Sequence, residues 1–273
     1  MSIKSYKSVE QAAEKMINIM ETGVIPWVKP WKNSNNVYNP VSKKPFTGFN
    51  AFVLNLFNTY ETGYFITYQQ ALQIGGNVAK GSKGIGVLLP IIKEDKETGK
   101  TACYGFREYT VFNLDQCENV SSLYPQADDK PINRIEQCEN TIRNTDAKIT
   151  HISGKGCYYS SKTDQITMED INNFHNNDVY YATMFHELSH WTGHESRLDR
   201  KLGNTFGSSD YAFEELIAEL SANFLCNTHG IDTVDQHNAA YLQSWIKALK
   251  NDSSVLLKAA GQAKKASDYI LKK

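Results

Sequence analysis

Little in this sequence calls for an oxidising compartment or a membrane. Its 273 residues hold five cysteines, at positions 103, 117, 138, 157 and 226. The number is odd and no two are spaced Cys-x-x-Cys, which argues against a disulfide framework and against a four-cysteine zinc site. No run approaches the roughly 18 apolar residues of a membrane span. The start, Met-Ser-Ile-Lys-Ser-Tyr-Lys, lacks the apolar core and cleavage site of a signal peptide. The expectation is a soluble, cytoplasmic protein with no membrane partner. Net charge is also nearly absent, at −1, while 41% hydrophobic and 22% charged residues are ordinary globular values that exclude wholesale disorder.

The missing charge is a matter of distribution. Residues 1–93 carry ten lysines, no arginine and four glutamates, a net +6, and the remaining residues carry a net −7. A near-neutral total therefore leaves room for a nucleic-acid partner.

The length suits one large or two modest domains. Residues 7–22 place apolar side chains at helical spacing up to Gly23. Four prolines between 24 and 50 exclude a long helix there. Short helices are expected at 50–60 and from Thr67, then a β-hairpin from Gly84 to about Asn113 with a charged turn at Lys93–Lys100. The polar stretch 120–132 is the best boundary. Beyond it the pattern predicts a helix at 133–144, short strands within 149–168, and helices at 179–192, 211–228, 238–249 and 253–271. The expected class is α+β in two domains: a small α+β domain over 1–125 and a mostly helical domain with a small sheet over 130–273.

The strongest chemical motif is His186-Glu187-Leu188-Ser189-His190. Residues four apart share a helix face, so both imidazoles can address one metal ion, and Glu187 is placed to polarise a water there. A third ligand is needed. Position 196, where the longer metal-binding pattern has a histidine, is Ser, and His194 follows Gly193, where the helix is expected to break. The alternative is a carboxylate from Glu214-Glu215-Leu216-Ile217-Ala218-Glu219, where Glu215 and Glu219 share a face. Glu215 as a ligand and Glu219 holding a ligand imidazole make physical sense. Glu214 sits about 100° round the helix from Glu215 and is expected in solvent. Two imidazoles and a carboxylate suit zinc, with manganese also tolerated. No oxyanion-stabilising group stands out among His194, His229, Tyr180, Tyr181 and Tyr211.

These residues resemble a known family. His186-Glu187-Leu188-Ser189-His190-Trp191-Thr192-Gly193-His194, Arg197-Leu198-Asp199-Arg200 and the segment Tyr211–Leu220 are similar to the C-terminal, zincin-like metallopeptidase domain of ArdC-type antirestriction proteins. Gly23–Trp31, Thr47-Gly48-Phe49-Asn50 and Lys80-Gly81-Ser82-Lys83-Gly84 resemble elements of that family's N-terminal half. The resemblance implies an N-terminal domain that binds single-stranded DNA and a role in protecting incoming DNA from restriction. It also implies a metallopeptidase-type site acting on a protein substrate, a restriction-system component being one choice.

Single-strand binding needs cations for phosphates and aromatic faces for bases. Trp27, Lys29, Trp31, Lys32, Lys43, Lys44, Lys80 and Lys83 are the candidates, interleaved with Tyr38, Phe46 and Phe49. Phe49 and Phe52, leading into a helix, are expected in the core. Two rival readings stay open: a DNA-coating shield whose metal site is structural or vestigial, and a stand-alone metallopeptidase whose first domain recognises protein.

Overall fold

The computed structural model describes residues 6–26, 37–94, 101–124, 134–202, 208–231 and 239–273. The chain is an α+β protein of two compact units, one of residues 1–15 with 33–129 and one of 16–32 with 130–273. The first helix, α1 (Lys7–Glu21), is thus divided between them.

The first unit then runs through β1 (Tyr38–Asn39), β2 (Lys44–Pro45), α2 (Gly48–Phe57), β3 (Phe65–Thr67), α3 (Tyr68–Gln73), β4 (Asn77–Val78), β5 (Ile85–Glu94), β6 (Thr101–Asn113) and β7 (Cys117–Glu118). β3, β6 and β5 form an antiparallel sheet in that order. One core cluster against it is Val37, Leu54, Phe65, Val87 and Val111, the last three contributed one by each strand. Short helix α3 is stabilised by a capping box, in which Gln70 N–H donates to the Thr67 hydroxyl (3.2 Å) and Thr67 N–H donates to the Gln70 side chain (2.9 Å). Asn39 Nδ2 donates to the same Gln70 side chain at 3.0 Å, tying the β1–β2 hairpin to α3.

The second unit contains α4 (Arg134–Arg143), β8 (Lys148–His151), β9 (Tyr158–Ser160), β10 (Gln165–Met168), α5 (Asn177–Thr192), α6 (Ser209–His229), α7 (Ala239–Asn251) and α8 (Ser254–Ile270). Its sheet order is β8-β10-β9, so β9 is an edge strand, antiparallel to β10. Helix α5 is buried on most sides, its Tyr181, Met184, Phe185 and Leu188 in one cluster with Ile166, Met168, Leu225 and Ile270. Asn176 starts it by accepting from Val179 N–H at 2.9 Å. Ser208 caps α6 through Tyr211 N–H (3.2 Å), and Gly230 ends it at φ 65, the left-handed conformation that glycine adopts without strain. Small residues Ala218 and Ala222 on α6 are buried. Among the described residues no helix is long and apolar enough to cross a membrane.

Candidate metal centre and basic loops

Helix α5 sets His186 and His190 one turn apart, and their rings meet edge-on with centroids 4.7 Å apart. Their Nε2 atoms lie 3.1 Å from each other. Glu215, from the second turn of α6, places one carboxylate oxygen 3.5 Å from His186 Nε2 and the other 3.6 Å from His190 Nε2. Each of the three offers an atom within 4.8 Å of the others. Donors about 2.0–2.1 Å from a tetrahedral ion stand roughly 3.3 Å apart, so this triangle fits a divalent cation. Two imidazole nitrogens facing each other beside a carboxylate are otherwise an awkward set, since one of them must carry a proton.

The outward nitrogens are held as well. His186 Nδ1–H donates to Glu219 at 2.8 Å, and His190 Nδ1–H donates to Glu214 at 3.3 Å. Both imidazoles therefore turn Nε2 toward Glu215. Burial alone would lower the His186 pKa, but the carboxylates of Glu215 and Glu219 outweigh it and hold it well above the ordinary value. Glu215 moves the other way: burial would raise it, yet contacts with His186 and His190 bring it down to about 2.

The expectation that Glu214 is solvated is corrected here. It is 2% exposed. The chain after α5 folds back over that side of α6, and Arg200 forks onto the carboxylate through Nε (3.0 Å) and Nη2 (2.7 Å). Helical rotation places Glu214 away from Glu215, but the face it occupies is covered rather than wet. Arg200 stood in the sequence inside Arg197-Leu198-Asp199-Arg200 without a role.

A cleft of about 630 Å³ opens on this centre. Nearly buried Glu187 lines it with His186, His190 and Glu215, and so do Tyr211, Tyr241 and the edge strand β9. Of the residues considered for oxyanion contact, only Tyr211 borders the cleft. Burial, then the neighbouring Tyr241 and Glu215, push its phenol pKa up. Tyr180 is bonded to His151 Nε2 at 2.9 Å and Tyr181 donates to Glu139 at 2.8 Å. His229 is buried against Phe185 and meets the Thr141 hydroxyl at 3.1 Å. His194 pairs with the Ser196 hydroxyl at 2.8 Å. Tyr241, on α7, also lines the cleft.

The cleft wall is braced from behind. Arg197 donates to Trp191 O at 2.6 Å, stacks over the Trp191 ring at 4.1 Å and pairs with Asp164. Asp164 in turn accepts from Tyr159 of β9 at 2.8 Å. The Arg197 hydrogen bond, against a burial cost, holds the Asp164 carboxyl below its ordinary pKa.

In the first unit, Lys43, Lys44, Lys80 and Lys83 are all exposed. Lys43 turns the β1–β2 hairpin at φ 55. Lys80 and Lys83 flank a turn at Gly81 (φ 88), where Ser82 N–H donates to Ala79 O at 3.1 Å. Gln116 Nε2 pins the loop by donating to Lys83 O at 3.0 Å. At Gly84 a Cβ would strike the Thr110 methyl and come within 2.8 Å of Val111 O, so only glycine lets the loop lie against β6. Phe46 and Phe65 pack edge-on, and Phe49 and Phe52 are buried, so these aromatics belong to the core. Trp27, Lys29, Trp31 and Lys32 lie outside the described residues.

Comparison with known proteins matches this geometry to a family. Residues 6–112 match the N-terminal domain of anti-restriction factor ArdC, and residues 136–262 match a zincin-like metallopeptidase domain, MPTase-PolyVal. The metal-free crystal structure of antirestriction protein ArdC from plasmid R388 superposes with a TM-score of 0.76 at 33% identity, covering 98% of this chain and 97% of that one. The chain belongs to the ArdC antirestriction family. The Mn(II)-bound structure of the same R388 protein superposes at 0.80, covering 98% of both chains. Two Escherichia coli DNA primases named TraC are 36% and 34% identical to this ArdC-family chain over 96% of its length. The chain spans 20% and 27% of those two proteins.

Proposed function

We propose that this antirestriction protein binds single-stranded DNA through its first domain and carries a divalent metal in its second, at which a peptide bond is hydrolysed. The observation that carries the second half is the convergence of His186 Nε2, His190 Nε2 and Glu215 at the floor of a cleft. On this reading His186, His190 and Glu215 hold the ion and Glu219 orients His186. Two imidazoles and a carboxylate suit zinc and also manganese, and the R388 relative has a Mn(II)-bound form. A divalent ion at such a site lowers the pKa of a water ligand and polarises a carbonyl.

Glu187 is the general base. It takes a proton from the attacking water as the oxygen bonds to the peptide carbonyl carbon, and returns it to the leaving nitrogen as the C–N bond breaks. Among the described residues β9 is an edge strand beside the cleft, which supports an extended peptide as substrate, since such a segment can add as a strand.

The net +6 of residues 1–93 supports the DNA half. Lys43, Lys44, Lys80 and Lys83, on two exposed turns, neutralise phosphates, with Trp27, Lys29, Trp31 and Lys32 as further contacts.

Glu187→Gln separates the mechanisms. The reading expects the variant to keep its metal, lose hydrolysis of fluorescent casein by about 10²–10⁴-fold, and lose antirestriction with it. Full antirestriction in a metal-loaded Glu187→Gln chain would favour protection by coating the DNA.

A further inference from the structure

We propose that Arg200 is a positioning residue for His190, acting through Glu214. The inference rests on reading His190 as a metal ligand and deepens it, by naming what fixes that ligand.

Neutral imidazole carries its proton on one nitrogen, and the group bonded to that nitrogen decides which one is left to bind metal. For His190 the partner is Glu214, 3.3 Å from Nδ1. A carboxylate as buried as Glu214 needs a counter-charge to stay ionised and in place. Arg200 supplies it with both tines of the guanidinium fork, at 2.7 and 3.0 Å. The same guanidinium donates to the Thr192 hydroxyl at 2.8 Å and to Ser189 O at 2.7 Å, the last turn of the helix that carries His190. One side chain thus joins the end of α5 to the start of α6.

The local fold is built around that reach. After α5 the chain reverses, with Leu198 N–H donating to Thr192 O (3.0 Å) and Arg200 N–H to Gly193 O (2.9 Å). Asp199 takes φ 47 to complete the turn. Gly193 itself is at an ordinary φ of −76, so its requirement is steric. A Cβ there would meet Leu202 and come within 2.9 Å of Arg200 Nη2 and 3.0 Å of His190 O. The absence of a side chain at 193 leaves the space through which the guanidinium reaches Glu214.

The experiment uses the full chain, titrated with Mn(II) by calorimetry, with histidine ¹⁵N spectra of the metal-free protein read alongside. Arg200→Met is expected to weaken Mn(II) binding about 10–100-fold, the range for groups that orient metal ligands. Because that variant strands a buried carboxylate, R200M/E214L is the second arm: removing a buried pair together is commonly tolerated, and its fold is checked by circular dichroism. The double variant is expected to show a comparable loss and a His190 signal moved from the Nδ1–H tautomer toward a mixture. A double variant that binds Mn(II) like wild type and keeps the Nδ1–H tautomer overturns the proposal. If the wild type bound no Mn(II), the metal reading would fall, and the tautomer spectra would still decide this one.

Discussion

His186 Nδ1 lies 2.8 Å from the Glu219 carboxylate, a full turn of α6 beyond Glu215, which faces the opposite edge of the same ring. One helix thus grips one imidazole from both sides. The spacing of Glu215 and Glu219, four apart, is what makes the grip possible.

That relationship makes Glu219→Gln informative. The amide can still accept the Nδ1 proton but brings no charge, so ligand basicity falls while orientation is partly kept. We expect Mn(II) affinity to drop about 10-fold, and Glu219→Ala to cost nearer 100-fold. Isothermal titration of both variants checks the order, and equal affinities across the series would contradict it.

The brace behind β9 predicts a pH dependence. The folded pKa of Asp164 lies below that of the unfolded chain, so its pairing with Arg197 stabilises the fold above about pH 4 and is lost as pH falls through the folded value. Asp164→Asn is expected to lower Tm at pH 7, with the difference from wild type shrinking below pH 4. Its carboxylate is partly exposed, so added salt reduces the effect at pH 7. Thermal melts at several pH values test this, and a difference constant down to pH 3 would refute it.

On the DNA side, Lys80→Ala/Lys83→Ala should weaken binding to labelled single-stranded oligonucleotide. The slope of log affinity against log salt should become shallower by about 1.4, at roughly 0.7 per neutralised phosphate. Fluorescence anisotropy at four salt concentrations measures it. Weaker binding with an unchanged slope would remove these lysines from the phosphate contacts.

Much of this was legible in the sequence, and the exceptions have physical causes. Helical spacing located α5, α6 and α8, and four-residue periodicity paired His186 with His190 on one helix and Glu215 with Glu219 on another. Periodicity describes a helix in isolation, however. It put Glu214 in solvent because nothing in the α6 pattern reveals that residues 194–202 fold over that face. Arg200, eight residues past the end of α5 and with no periodic relation to α6, finds Glu214 only through the chain reversal at Gly193 and Asp199. Tyr241 reaches the cleft from α7 and β9 reaches it as a sheet edge. Both are tertiary placements that local pattern does not encode. In the first unit, the lead into a helix marked Phe49 and Phe52 as core, and both are buried, while nothing local decided Phe46. Phe46 is half-buried and packs edge-on against Phe65 of the sheet, a tertiary contact that local pattern does not reveal.

The central claim is the metal centre at His186, His190 and Glu215. Its most direct test is elemental analysis of the purified, Mn(II)- or Zn(II)-loaded full chain beside His186→Ala, after exhaustive dialysis. The account predicts about one divalent ion per wild-type chain and far less than one in His186→Ala, with matching circular dichroism spectra. A wild-type chain without stoichiometric metal, or a variant that retains as much as wild type, would contradict it.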